Sequence, residues 1–138
     1  MLTALKKNRN ILILVDQNTR PKRGGIFVDM FGLPLPISRA PAVFARKAEV
    51  PIVVGCCARQ KHGRFLLAGA RIDLEKFEDD ESVMTEVNRL SEELIRKYPE
   101  QYLWMYERWR MIPQDLPDEV KNRFPFYAKP WVPYEKKD

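Results

Sequence analysis

Histidine is nearly missing from this chain. His62 is the only one among 138 residues, and cysteine is limited to the adjacent pair Cys56 and Cys57. One imidazole and two neighbouring thiols offer no four-ligand spacing, which argues against a zinc site. The pair makes no disulfide framework either, because successive strand residues point to opposite faces. Both read as small buried thiols in a reducing compartment. His62 falls in the polar turn Lys61-His62-Gly63 with no orienting carboxylate or nucleophile beside it, so it reads as a surface histidine rather than a general base. The six glycines form neither a Walker loop nor Gly-x-Gly-x-x-Gly, so nucleotide phosphates have no recognisable cradle. No apolar run approaches the ~18 residues of a membrane-spanning helix. Neither a signal peptide nor an internal repeat stands out.

What is present suits one domain, with 45% hydrophobic residues to fill a core. That domain is read over residues 1–113, followed by a proline-rich, aromatic tail over 114–138. The net charge is +5, and it is uneven. Up to Gly25 the basic residues are Lys6, Lys7, Arg9, Arg20, Lys22 and Arg23, against the single acid Asp16. Such an edge suits an anionic partner: a phosphate group, an acidic carrier protein or an anionic membrane face. The plainer alternative is a solvated loop.

The stretch from Ile11 to Val54 organises the chain. Ile11–Val15 and Ile52–Cys57 are continuous apolar runs, as expected of strands covered on both faces. Between them lie a polar loop, a glycine-led segment and a helix predicted over Ser38–Ala48. This order predicts a crossover unit, hence an α/β fold whose mixed, mainly parallel sheet is flanked by helices. Open parallel sheets bind ligands at the carboxyl ends of their strands, which places the candidate site at Asp16-Gln17-Asn18-Thr19-Arg20. Asp16 is suited either to orient a polar ligand or to cap its own loop as an Asx turn.

The rest follows in order. Met1–Asn8 reads as the end of an amphipathic helix capped by Asn8. Ile26–Phe31 suits a short strand, and Pro34 and Pro36 are expected to stop regular structure after it. Ser38 is a candidate N-cap, with Pro41 in the first turn. Ala40, Val43, Phe44 and Ala48 form that helix's apolar face. Phe65–Ile72 is an antiparallel neighbour of the second strand, joined by a short turn. A long helix then carries Val83, Val87, Leu90, Leu94 and Tyr98 on one seam, widened by Met84 and Ile95 and ended by Pro99. Tyr102, Trp104, Tyr106, Arg108, Trp109 and Arg110 read as core packing with a basic edge, in preference to a stacking platform for single-stranded nucleic acid. Phe124, Phe126, Tyr127, Trp131 and Tyr134 predict a tail lying along the domain, with Glu135–Asp138 fraying.

Several of these residues carry a family likeness. Asp16-Gln-Asn18, Gly25-Ile-Phe-Val-Asp-Met-Phe-Gly32, Phe44–Val54, Arg59, and Pro99-Glu-Gln-Tyr-Leu-Trp104 with Arg108 and Arg110 follow one order. Over Leu2–Pro113 the chain resembles the carboxyl-terminal half of the bacterial lipid A biosynthesis (lauroyl/myristoyl) acyltransferases, within the glycerolipid acyltransferase superfamily. The resemblance implies transfer of a fatty acyl group from an acyl carrier protein or coenzyme A thioester to a hydroxyl of a phosphorylated glycolipid, with no further cofactor. It also implies a peripheral position on the cytoplasmic face of the bacterial inner membrane. Asp16 matches the acidic position of the family's third block, Arg20 that block's arginine, and Pro51 the proline of the fourth. The implied substrate-facing set is Asp16, Gln17, Asn18, Arg20, Arg23, Ser38, Pro51 and Arg59.

Two departures are specific. The family's His-x-x-x-x-Asp motif does not occur in these residues, since the fifth neighbour of His62 is Leu67. Ile37-Ser-Arg-Ala40 stands where many members have Thr-x-x-Gly. The chain is therefore expected to hold no catalytic residue of its own, to be inactive alone, and to need an amino-terminal half as partner. The alternative from another class is a non-catalytic module that binds anionic lipid or an acidic protein. Nucleic acid ranks last, because the amino-terminal basic cluster is not interleaved with aromatics.

Overall fold

One turn of helix, α1 (Leu2–Leu5), opens the chain in the computed structural model, which describes residues 1–132. Asn8 closes that turn in the left-handed region at φ 54°, a conformation that asparagine tolerates at a helix end. Residues 9–16 then run without regular secondary structure. The predicted strand Ile11–Val15 joins no sheet. Leu12 and Leu14 are exposed, and the Val15 carbonyl is taken by a side chain instead of a neighbouring strand.

The first hairpin pairs β1 (Gly25–Met30) with β2 (Leu33–Ser38). Pro34 and Pro36 lie within β2, contrary to the expectation that they end regular structure. The Pro36 carbonyl accepts from Thr19 N–H, on the side away from β1. A strand residue's N–H and C=O point the same way, so neither proline interrupts the β1 ladder. The two-residue turn Phe31-Gly32 has positive φ at both positions, 56° and 75°, as a type I′ hairpin requires. Phe31 is held there by its N–H, which donates to Glu92 at 2.6 Å. The Arg96 guanidinium also sits 4.8 Å over its ring.

Helix α2 (Ala40–Ala48) buries Pro41, Ala42 and Ala45, a face rotated from the predicted Ala40–Val43–Phe44–Ala48 stripe. Its Arg46 reaches the carbonyls of Phe77 and Asp79 and pairs with Asp80 at 3.2 Å. Those contacts join α2 to the start of α3 (Asp80–Lys97), where Asp79 and Ser82 form a reciprocal capping box. The predicted seam of α3 faces the core: Val83, Met84 and Val87 are buried, and Leu90, Leu94 and Ile95 pack beside them. Asn88 is buried too, and its amide donates to the Asp29 carbonyl of β1.

The second hairpin pairs β3 (Ile52–Arg59) with β4 (Phe65–Ile72), antiparallel as predicted. Its burial alternates. Val54, Ala58 and Ile72 face the core, whereas Val53, Cys57 and Leu67 face outward. The apolar run is thus covered on one face only, and neither cysteine is buried. A third pair, β5 (Met111–Ile112) and β6 (Lys129–Pro130), is parallel. Helix α4 (Asp118–Lys121) lies between the two strands, and β6 brings the tail back to the domain. Phe124 and Tyr127 pack on the core, while Phe126 is bare. Tyr134 and the fraying predicted for Glu135–Asp138 lie outside the described residues.

The architecture is therefore mixed α/β, built of small antiparallel and parallel pairs with helices. The predicted mainly parallel sheet is not what the described residues form. The two long pairs, β1–β2 and β3–β4, are joined by short turns that permit only antiparallel pairing, and the parallel β5–β6 pair is two residues long.

Candidate functional site

The loop that follows Val15 is held by a buried arginine from the far end of the chain. Arg108 is 2% exposed. Its Nη2 donates to the Val15 carbonyl at 2.6 Å, and its Nη1 donates to Asn18 Oδ1 at 3.2 Å. Asn18 is gripped on two further sides. Its backbone N–H donates to the Tyr106 hydroxyl at 3.0 Å, and its Nδ2 donates to the Glu107 carbonyl at 3.1 Å. A planar guanidinium presents several donors in one fork, so one side chain can fix both a backbone carbonyl and a side-chain amide. Arg108 Nε is buried without a hydrogen-bond partner among the described residues.

From the other side, Thr19 N–H donates to the Pro36 carbonyl of β2 at 3.1 Å. The loop then closes on itself, with Arg23 N–H and Gly25 N–H both reaching the Arg20 carbonyl at 2.8 and 3.2 Å. Gly25 is required there, because a Cβ would fall 1.9 Å from the Thr19 carbonyl oxygen. Gly24, at φ 80°, makes the preceding reversal. Between these anchors Asp16, Gln17, Arg20 and Arg23 stand exposed.

The electrostatics centre on the buried cation. Burial lowers the Arg108 pKa from its ordinary value, while Tyr102, Tyr106 and the negative charge of Asp16 push it back up. Tyr102 is raised above the usual tyrosine value by burial, opposed by Arg108 and reinforced by Asp16. Asp16 thus lies within the electrostatic reach of Arg108 without being enclosed. It is an exposed carboxylate on a loop fixed at both ends, with Arg20 and Arg23 along the same loop. Such an arrangement can orient a ligand that carries hydroxyl and anionic groups. By itself it offers no nucleophile paired with a base.

The other candidates are divided. Ser38 lies opposite Gly25 in the first hairpin, next to the loop, and its Oγ accepts from Ala40 N–H at 3.2 Å as α2 begins. Pro51 and Arg59 sit at opposite ends of β3, about 25 Å apart by strand rise, so both cannot line one small site. Arg59 instead belongs to a surface concavity of about 530 Å³ lined with Gln60, Lys61 and Gln101. There the Gln101 amide pairs with the Arg59 backbone in both directions, accepting from its N–H at 2.7 Å and donating to its carbonyl at 3.1 Å. His62 occupies the exposed turn between β3 and β4 at φ 60°.

Arg108, Tyr106 and Tyr102 are the site residues that sequence reasoning missed. The signal was their spacing: two tyrosines and an arginine within seven residues, ending at a tryptophan that is also buried. Arg110, two residues on, is exposed. The basic edge predicted for this segment is therefore Arg110 and not Arg108.

Among known protein families, residues 1–111 match the one described as bacterial lipid A biosynthesis acyltransferase. The matched span includes every residue of the Asp16–Arg108 cluster and stops before α4. No curated protein matches the chain.

Proposed function

Because the chain belongs to the bacterial lipid A biosynthesis acyltransferase family, we propose that it forms the substrate-facing part of an enzyme moving a fatty acyl group to a hydroxyl of a phosphorylated glycolipid. The donor is an acyl carrier protein or coenzyme A thioester, and no further cofactor takes part. The reaction forms an ester to the acceptor hydroxyl and releases the carrier thiol, while the hydroxyl proton passes to a base. The observation that carries this reading is the fixed Asp16 loop within the matched span. An exposed carboxylate beside Arg20 and Arg23 suits an acceptor bearing both hydroxyls and phosphates.

The proton-accepting histidine comes from polypeptide outside these residues, on this reading, in a His-x-x-x-x-Asp motif. His62 does not take that role, since its turn is exposed and its fifth neighbour is Leu67. The open edge of β3 suits completion by additional strands, and the mainly parallel sheet would then extend across both parts. Docking is on the cytoplasmic face of the inner membrane. Contact with the bilayer is peripheral on this reading; among the described residues no helix is long and apolar enough to cross a membrane.

The test is an acyl-transfer assay with labelled acyl carrier protein thioester and a phosphorylated glycolipid acceptor. The purified chain is expected to show no turnover above background. Sustained turnover by these 138 residues alone would contradict the assignment of the base to another segment.

A further inference from the structure

The β3–β4 hairpin carries a combination that its packing against α3 does not explain. From Pro51 to Ile72 the chain contains no acid, and its cations are Arg59, Lys61, Arg64 and Arg71. Arg71 is paired with Asp73 at 2.8 Å. Lys61 and Arg64 at the tip form no ion pair among the described residues. Directly beside them Phe65, Leu66 and Leu67 are three consecutive exposed apolar residues, Phe65 at 61% and Leu67 at 80%. Phe65 and Leu67 lie on the outer face of the hairpin with Arg59 and Cys57 as their register partners, and Arg59 sits over the Phe65 ring at 5.9 Å. Leu66 lies on the other face, opposite the buried Ala58, and is itself 42% exposed.

A second apolar segment starts from the same place. The Gln101 amide clamps the Arg59 backbone, and two residues later Leu103, Trp104 and Met105 are exposed, Met105 at 91%. Apolar side chains are left in water at two connected segments. The hairpin one is rimmed by the unpaired cations Lys61 and Arg64 and free of acids, while the second has Glu100 at its near end, bonded to Gln101. The hairpin segment matches an interface of one chemistry: hydrocarbon below, negative charge at the rim.

We infer that the tip of the β3–β4 hairpin is a membrane-docking element, with Phe65, Leu66 and Leu67 entering the acyl boundary of an anionic bilayer and Arg59, Lys61 and Arg64 meeting lipid phosphates. This deepens the membrane contact in the proposed function and rests on it, but it does not require that acyl transfer occur. A neutral peptide strand fits less well, because it would leave the cations without partners.

The experiment is co-sedimentation of the full chain with vesicles of phosphatidylethanolamine and phosphatidylglycerol, against vesicles of phosphatidylcholine. Binding to the anionic vesicles is expected at low salt and falls as salt rises. The double variant F65S/L67S changes only exposed side chains and is expected to bind at least tenfold more weakly. K61E/R64E is expected to lose a similar factor at low salt, since each juxtamembrane cation contributes several-fold. K6E/K7E, in the basic amino-terminal segment, is the comparison and should retain most of the binding. Hairpin variants that bind like the unaltered chain while K6E/K7E does not would overturn this inference and leave membrane association standing. No binding by the unaltered chain would overturn both, without bearing on acyl transfer. Loss of a dimer in F65S/L67S with vesicle binding unchanged would assign the patch to a second copy and also overturn it.

Discussion

Arg108 and Val15 are joined at 2.6 Å across 93 positions of sequence, the guanidinium Nη2 donating to the carbonyl. The last residue of the apolar segment that leads into the candidate site is thus fixed by the aromatic segment after α3. Asn18, three residues on, is fixed by the same side chain and its neighbours. Asp16 lies between these two anchors, so the position of its carboxylate depends on residues 106–108 more than on its own loop.

Replacing Arg108 tests that dependence. Arg108→Met keeps much of the volume but leaves the Val15 carbonyl and Asn18 Oδ1 without their donor. A loss of about 2–4 kcal/mol is expected, from two unmet part-buried acceptors. Arg108→Lys should recover only part of it, since an ammonium cannot reproduce the fork. Urea denaturation reads both, and amide exchange over residues 15–20 should speed up in step.

Asn18 and Arg108 should behave as one unit. Asn18→Ala alone is expected to cost about 1–2 kcal/mol. Combined with Arg108→Met, the losses should fall short of their sum by about 1 kcal/mol, because the two side chains share a bond. Strict additivity in the double-mutant cycle would mean that the pair does not cooperate.

Acid sensitivity should trace in part to Glu92. Burial alone would raise its pKa, but the Phe31 N–H and Arg96 hold it below the ordinary 4.5. A depressed folded-state pKa gives stability that is present above the unfolded value and is lost as pH falls through the folded one. Glu92→Gln should therefore cost about 1–2 kcal/mol near neutrality and flatten the loss of stability below pH 4.5. A thermal-melt series over pH 3–7 distinguishes the two chains.

Alkaline sensitivity should trace in part to Tyr102. Its pKa is raised by burial and by Asp16, with Arg108 opposing. Folded and unfolded states are both protonated below the ordinary tyrosine value of 10, so its contribution is intact there and is lost as pH climbs above it. Tyr102→Phe should show a shallower decline in stability as pH rises above 10, read by thermal melts on the alkaline side.

Much of this was legible from local pattern. The α3 seam, the acids at its start, the β3–β4 turn and the Asp16 loop follow from periodicity and turn chemistry, which act over a few residues. What was not legible depends on distance in sequence. Ile11–Val15 reads as a buried strand because its apolarity is continuous, yet no strand among the described residues pairs with it. Pro34 and Pro36 read as breakers, yet their missing donors face away from β1. Arg108 reads as a surface cation by residue type. Its burial is possible only because Val15, Asn18 and Asp16, some ninety residues earlier, supply acceptors and a compensating charge. Arg59 fits the family's order, but the length of β3 carries it far from Pro51.

The central claim is that the Asp16 loop serves an acyl transfer whose proton acceptor lies on other polypeptide. The most direct measurement mixes the purified chain with a separately produced polypeptide bearing His-x-x-x-x-Asp from the same family and follows acyl transfer to the glycolipid. Neither partner alone should turn over, the mixture should, and Asp16→Asn should reduce the restored rate by at least tenfold. Restored turnover that is indifferent to Asp16→Asn, or turnover by this chain without its partner, would contradict the account.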